Sequence, residues 1–318
     1  MTRKQTIALI AGGISAERQV SLNSADHVFK ALNKDRYEIF RYDSQTDIAR
    51  IVADAPHIDA ALIILHGPFG EDGTVQGLLE LLDIPYQGSG VLGSALAMNK
   101  VAAKQIYEKA DIPVPPYLVL KPSDKIEIKA LEKLPGFPMV VKPGEAGSSV
   151  GMSVVKHKKE IKAAINLAFK YDSSVLCEKY IDGIELTCGI LGNERLKALP
   201  LIEIIPDKNH DYFDYEAKYT AGLTKEICPA RLNKVLTAKA KDYAIRAHKV
   251  LFCKGYSRTD MILADQQIYV LETNTIPGMT PTSLFPQAAR QAGFSFSELL
   301  DELIRLGIQA HKQHKKIN

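Results

Sequence analysis

The chain has 318 residues, 46% hydrophobic and 24% charged, with 40 basic residues against 37 acidic ones and a formal net charge of +3. This balance excludes extended disorder and a fibrous architecture, and it lacks the broad basic field that recruits nucleic acid or an anionic membrane surface. The length suits two or three globular domains, and the even charge points to a small-molecule substrate.

The first apolar run, Thr6 to Ala11, has strand length and is too short for the core of a signal peptide followed by a cleavage site, so a cytoplasmic protein is expected. No apolar run approaches the roughly 20 residues of a membrane helix. Strand-like runs Thr6–Ala11, Tyr37–Tyr42 and Ala60–Leu65 alternate with helix-like Ser21–Leu32 and Gly73–Leu82, which predicts a parallel α/β unit over 1–97. Prolines in ADIPVPP, residues 110–116, follow a helical stretch Lys100–Lys109 and suit a boundary, with a new unit beginning near Met98.

From Pro138 to Tyr180 the pattern reads strand, glycine-rich turn, strand, helix, strand, an α+β unit closing the segment 98–182. Strands dominate again from Ile184 up to a helix over Asn233–Phe252. Strands Thr259–Ala264 and Ile268–Glu272 then precede C-terminal helices in the segment 183–318. Cys177, Cys188, Cys228 and Cys253 show no CxxC spacing and read as buried, reduced thiols. The basic runs Lys156–Lys159 and His311–Lys316 read as solvated surface.

The chemistry-bearing residues cluster in a few motifs. Gly12-Gly13 after the first strand suggests a tight turn offering amides to a carboxylate or phosphate; Glu17 beyond it either serves that site or merely favours a helix start. The glycines do not form GxGxxG, so dinucleotide binding loses its support. Gly144 to Gly151, with Ser148 and Ser149, suits a loop folding over phosphates without being a Walker A motif. Lys100, Lys142 and Lys179 supply three cations that converge on phosphates if the fold allows it and are otherwise surface lysines; the spacing of Glu178 and Glu185 suits an adenine and a ribose, or else solvated turn carboxylates. Arg258-Thr-Asp260 and Glu272-Thr-Asn274 lie on strands joined by a hairpin signal at Ala264–Gln267. Two carboxylates and an amide are hard oxygen donors of the kind Mg²⁺ takes under a triphosphate, with Arg258 as a fixed cation. The competing reading is a solvated sheet face. Asp207 to Thr224, rich in tyrosine, reads as an active-site lid or as disorder.

Taken together, GGISAERQVSL, LHGPFGEDG, YQGSGVLGSALAMNK, VVKPGEAGSSVGMS, EKYIDGIE, DYEAKY, GYSRTDM and LETNTIPGMTPTSLFPQAARQAG resemble the D-alanine:D-alanine ligase family of the ATP-grasp superfamily along nearly the whole chain. The resemblance implies an N-terminal parallel α/β domain followed by a two-part ATP-grasp fold. It also implies ATP-dependent joining of two D-alanine molecules for peptidoglycan precursor synthesis, through an acyl phosphate. It assigns Asp260, Glu272 and Asn274 to two Mg²⁺ ions, with Mn²⁺ as a replacement, and Lys100, Lys142, Glu178, Lys179, Glu185 and Lys218 to ATP. It makes Glu17, Ser148 and Tyr219 a linking triad, places His66 near the second substrate, and aims Arg258 and the Gly278 amide at the oxyanion. Ser283 and Leu284 would receive the second D-alanine's carboxylate, and a homodimer is expected. The residues depart from the family at Pro68-Phe69, Asn99 and Ile276. His66 is also a candidate for the base that frees the attacking amine. The rival readings are a ligase for D-lactate or D-serine, against which Tyr219 speaks, and a catalytically silent module on the same fold.

Overall fold

The computed structural model describes residues 3–145, 150–206 and 224–316. Its first sheet is parallel. β1 (Gln5–Ala11) lies between β2 (Tyr37–Asp43) and β3 (Ala60–Ile63), with α1 (Arg18–Ala31) and α2 (Ile48–Asp54) in the connections. Six of the seven β1 residues are buried, as expected for a central parallel strand covered on both faces. α3 (Thr74–Leu81) and α4 (Val91–Met98) lead to α5 (Lys100–Lys109). Asn99 caps α5, its Oδ1 accepting the Ala102 amide at 2.8 Å, while its Nδ2 donates to Glu145 at 2.6 Å. This cap and the Lys100 N–H donating to Gly144 O at 2.8 Å tie the helix to the start of the glycine-rich loop.

A second sheet, antiparallel, runs β4–β7–β5–β6. Its strands are β4 (Tyr117–Leu120), β5 (Met139–Pro143), β6 (Ser153–Val155) and β7 (Val175–Lys179), backed by α6 (Ile128–Lys133) and α7 (Ile161–Ala168). The third sheet is built on β8 (Ile184–Leu191). β9 (Lys197–Ala198), β10 (Ile202–Pro206) and β11 (Thr224–Ile227) extend it on one side, and β12 (Tyr256–Ala264) and β13 (Gln267–Asn274) on the other, with α8 (Lys234–Val250) packed across it. Asp265 and Gln266 both take positive φ, at 47° and 63°, the backbone of the tight hairpin expected between β12 and β13.

α9 (Leu284–Gln291) and α10 (Phe296–Lys315) close the chain. α10 starts from a Ser295/Glu298 capping box and buries Leu299, Leu300, Leu303 and Ile304 against Ile7, Leu9, Ala25 and Val28 of the first sheet and helix. The largest core therefore joins the two ends of the chain, which local patterning does not reveal. Helices α2, α4 and α6 and strand β4 were also absent from the sequence reading, being short or weakly periodic. Cys177, Cys188 and Cys253 are buried free thiols as expected. Cys228 is only half-buried, because it lies just past β11 at the end of its sheet.

Replacing Asn99 with alanine removes the cap of α5 and is expected to lower unfolding free energy by about 1 kcal/mol in urea titrations. An unchanged midpoint would mean that the cap does not hold this helix.

Candidate active site

Between the three sheets lies a cleft of about 770 Å³. Every described residue to which the family resemblance assigns a site role lines it: Glu17, His66, Lys100, Lys142, Glu178, Lys179, Glu185, Arg258, Asp260, Glu272, Asn274, Gly278, Ser283 and Leu284. Ser148, Lys218 and Tyr219 lie outside the described residues.

The carboxylate strands meet through a defect in their pairing. Asp260 stands opposite Glu272 and Arg258 opposite Asn274, but the register shifts after Asp260 so that Met261 pairs with Val270. One extra residue, Leu271, is thereby accommodated on β13. With strict alternation, Glu272 and Asn274 would share a face with the buried Ile268 and Val270. The bulge changes the phase: Thr273 turns into the core, and Glu272 and Asn274 face the cleft. Burial along β13 is correspondingly uneven, since Val270 is buried while Tyr269 and Leu271 are half-buried. Arg258 grips Asp260 with two bonds, Nε to Oδ1 at 2.9 Å and Nη2 to Oδ2 at 2.8 Å, and Thr187 donates to Asp260 Oδ1 at 2.6 Å. Asn274 Oδ1 accepts the Ile276 amide at 2.9 Å, and Lys100 Nζ stands 4.0 Å from Glu272.

At the β5–β7 floor, Lys142 and Lys104 share the carboxylate of Glu178. Lys142 donates to Oε1, and Lys104 Nζ lies 2.8 Å from Oε2. Burial alone would raise the Glu178 pKa, but Lys104 and then Lys142 outweigh it and hold the carboxyl at about 2. The side chain of Glu178 is thus turned to two lysines, while Lys179 is exposed at the strand end and Glu185 half-buried on β8.

On the N-terminal domain's side, Glu17 occupies the N-cap position of α1 without a side-chain cap bond, and its residue is 6% exposed in the cleft wall. Its burial favours the site reading over the helix-start one. The adjacent glycine turn forms, but its amides do not serve the cleft: Gly12 N–H donates to Ser21 Oγ at 2.8 Å and Gly13 N–H to Asp43 at 3.2 Å. That corrects the expectation of an anion-binding turn. His66 is buried and Nε2 has no hydrogen-bond partner among the described residues; burial first, and Arg258 next in the same direction, depress its pKa against the pull of Glu17, which leaves a neutral ring. Ser283 makes no cap bond to α9 and instead accepts the Thr280 amide at 3.1 Å, so the start of that helix borders the cleft.

Charged residues that escaped the sequence reading include Lys104, Glu71 and the cleft-lining Glu226. Lys104 sits among apolar neighbours in AAKQIY, and a lysine on the inner face of a helix was the available signal. Glu71, inside LHGPFGEDG, resembled a loop carboxylate; it accepts the Gly67 amide at 2.6 Å, and burial, then Glu17, pushes its pKa up to about 8.

A small parallel domain followed by two antiparallel sheets that grip a cleft of lysines and carboxylates defines an ATP-grasp enzyme. Family models for the D-ala D-ala ligase N-terminus and C-terminus match residues 41–89 and 106–305. A D-alanine–D-alanine ligase of Syntrophobacter fumaroxidans is 58% identical over 97% of this chain and 99% of its own length. The crystal structure of the Bacillus anthracis D-alanine–D-alanine ligase complexed with ATP superposes with a TM-score of 0.85 at 36% identity, covering 98% of this chain and 99% of that one. A D-Ala:D-Ser ligase of Enterococcus faecalis gives 0.82 at 33% identity, covering 96% and 100%. The chain belongs to the D-alanine–D-alanine ligase family.

Because the Glu71 pKa is pushed up to about 8 from the ordinary glutamate value of 4.5, the stability linked to its neutral form is complete below 4.5 and is lost as pH rises through 8. Glu71→Gln, which cannot ionise, is expected to melt about 2 °C or more above the parent at pH 9 and level with it near pH 4 in ligand-free calorimetry. Equal melting at both pH values would contradict the protonated state.

Proposed function

We propose that this chain joins two D-alanine molecules into D-alanyl-D-alanine with ATP as phosphoryl donor, releasing ADP and phosphate, and so supplies a peptidoglycan precursor. The observation that carries this reading is the division of one cleft into two chemistries. Lys100, Lys142, Arg258, Asp260 and Glu272 supply it with cations and hard oxygen donors, and Glu17, His66 and the start of α9 supply a buried carboxylate, a neutral imidazole and a helix start, with Arg258 close enough to act on His66. The first set suits a triphosphate, and the second suits amino acids that carry both an ammonium and a carboxylate.

A carboxylate oxygen of the first D-alanine attacks the γ-phosphorus and ADP leaves, giving an acyl phosphate. The neutral amine of the second D-alanine attacks that carbonyl carbon, and the tetrahedral intermediate expels phosphate as the amide forms. Lys100 and Lys142 offset phosphate charge, with Glu178, Lys179 and Glu185 beside the nucleotide. Glu17 takes the first ammonium, Arg258 and the Gly278 amide stabilise the oxyanion, and Ser283 and Leu284 take the second carboxylate. His66, neutral, stands near the second substrate and can receive its proton. Ser148, Lys218 and Tyr219 keep the roles that the sequence likeness assigns.

Among the described residues no three His, Cys, Asp or Glu side chains gather at one point, so any metal set must include an amide or substrate oxygens. Asp260, Glu272 and Asn274 fit that pattern: hard oxygen donors on paired strands, the two carboxylates directly opposite each other and the amide beside them on the cleft. These residues would hold two Mg²⁺ ions, with Mn²⁺ as a replacement, whose bound charge neutralises the phosphates. No helix among the described residues is long and apolar enough to cross a membrane. A cytoplasmic location, a homodimer, and units at 1–97, 98–182 and 183–318 complete the proposal.

Phosphate release and product mass are to be measured with D-alanine, D-serine, D-lactate, L-alanine or no acid. Dipeptide and phosphate together with D-alanine are expected; preference for D-serine would favour the activity named for the Enterococcus relative, and no turnover with any acid would favour a silent module. Glu272→Gln is expected to cut turnover by about a hundredfold or more with little change in melting temperature, since its carboxylate faces the cleft and not a core. Near-normal turnover would remove Glu272 from the metal set. Chelation should stop turnover without unfolding the chain, and chelator-resistant activity would contradict the metal assignment.

A further inference from the structure

Helix α5 carries three polar side chains on one face, at positions 100, 104 and 107, the i, i+4, i+7 spacing of a single helical stripe. Lys100 reaches Glu272 on β13, Lys104 reaches Glu178 on β7, and the Tyr107 hydroxyl donates to Thr273 Oγ1 on β13 at 2.7 Å. The helix thus touches both sheets that form the nucleotide end of the cleft.

Lys104 is the unusual member. Its side chain is 0% exposed and it does not line the cleft, whereas Lys142, on the same carboxylate, does. Apart from each other, Lys104 Nζ and Glu178 Oε2 have no hydrogen-bond partner among the described residues. A fully buried ammonium is expensive even with the Tyr117 ring 5.8 Å from Nζ, and a methionine would fill similar volume without the charge. The charge balance is where Lys104 differs from a methionine. Glu178 with Lys142 alone is a neutral pair that draws Lys142 onto the sheet floor. Burial lowers the Lys104 pKa and the Glu178 carboxylate opposes that; with both lysines charged, the shared Glu178 leaves one net positive charge, and Lys142 is the member that borders the cleft.

We propose that Lys104 is a positioning residue for the nucleotide: by occupying one oxygen of Glu178 it keeps Lys142 from being neutralised and aims that cation at the phosphates of ATP. Lys104 itself touches no substrate. The proposal rests on the ATP reading above and goes further by assigning a role to a residue outside the cleft. It also accounts for a Glu178 carboxylate that is almost wholly turned away from ligand, its side chain 4% exposed.

The test is calorimetric titration of the full chain with a non-hydrolysable ATP analogue, alongside KM for ATP and for D-alanine. Lys104→Met is expected to weaken nucleotide binding and raise KM for ATP by about tenfold or more, leaving KM for D-alanine within about twofold. Lys104→Arg, which keeps a cation for Glu178 Oε2, is expected to bind the analogue within about threefold of the parent. A merely structural Lys104 would lower melting temperature without this split between substrates. Parental nucleotide affinity in a folded Lys104→Met chain, or a loss of about tenfold in a folded Lys104→Arg chain, overturns the proposal. If Lys104→Met does not fold, Lys104→Arg decides: near-parental affinity supports the role, and a loss of about tenfold overturns it. Failure of the parent itself to bind nucleotide would instead overturn the functional reading beneath it.

Discussion

Charge withdrawn from water has to be paired, and the cleft of this protein is organised around that requirement. An unpaired buried ion costs several kcal/mol, so each charged group here has its position dictated by an opposite one. Glu178 is fixed between Lys104 and Lys142, Asp260 lies in the fork of Arg258 with Thr187 behind it, and Glu272 has Lys100 in range. Where compensation is incomplete, the group changes state: Glu71 takes up a proton and His66 loses one. The same economy makes the site reactive, since preorganised charge in a dry cleft stabilises transferred phosphate and oxyanion without rearrangement.

Rigidity comes from the layer behind the carboxylates. Thr259 and Thr273, paired across β12 and β13, bond through their hydroxyls at 3.1 Å, and Tyr107 adds a third hydroxyl from α5. Each threonine points into the core because its neighbours point into the cleft, so one strand pair supplies both the support and the charged face. The Leu271 bulge makes this possible on β13, where plain alternation would have buried Glu272.

The N-terminal sheet contributes the other wall, and its placement depends on residues far away in the chain. α10 covers the first sheet with leucines and an isoleucine, and Arg36 on the loop before β2 pairs with Asp301 on that helix. Glu17, His66 and Glu71 are therefore held against the ATP-grasp sheets by a core that the last helix completes.

Much of this was legible in the residues. The parallel start, the Lys100–Lys109 helix and the hairpin at Ala264–Gln267 follow from periodicity and turn residues, and the metal candidates from the hard-oxygen chemistry of Asp260, Glu272 and Asn274, while the gathering of the lysines and Glu17 at one site is what the family resemblance implied. Short helices, the Gly12-Gly13 amides and the partnership of Lys104 with Glu178 were not legible. A helical lysine reveals its cost and its partner only once a strand some seventy residues on is packed against it. The sequence by itself determined which residue types could do the chemistry and which local elements would carry them, because propensity and hydrophobic period act over a few residues. Only the tertiary structure decided which face of β13 its carboxylate would take, which carboxylates would be protonated and which lysine would border the cleft, because burial and ion pairing are set by contacts between distant segments.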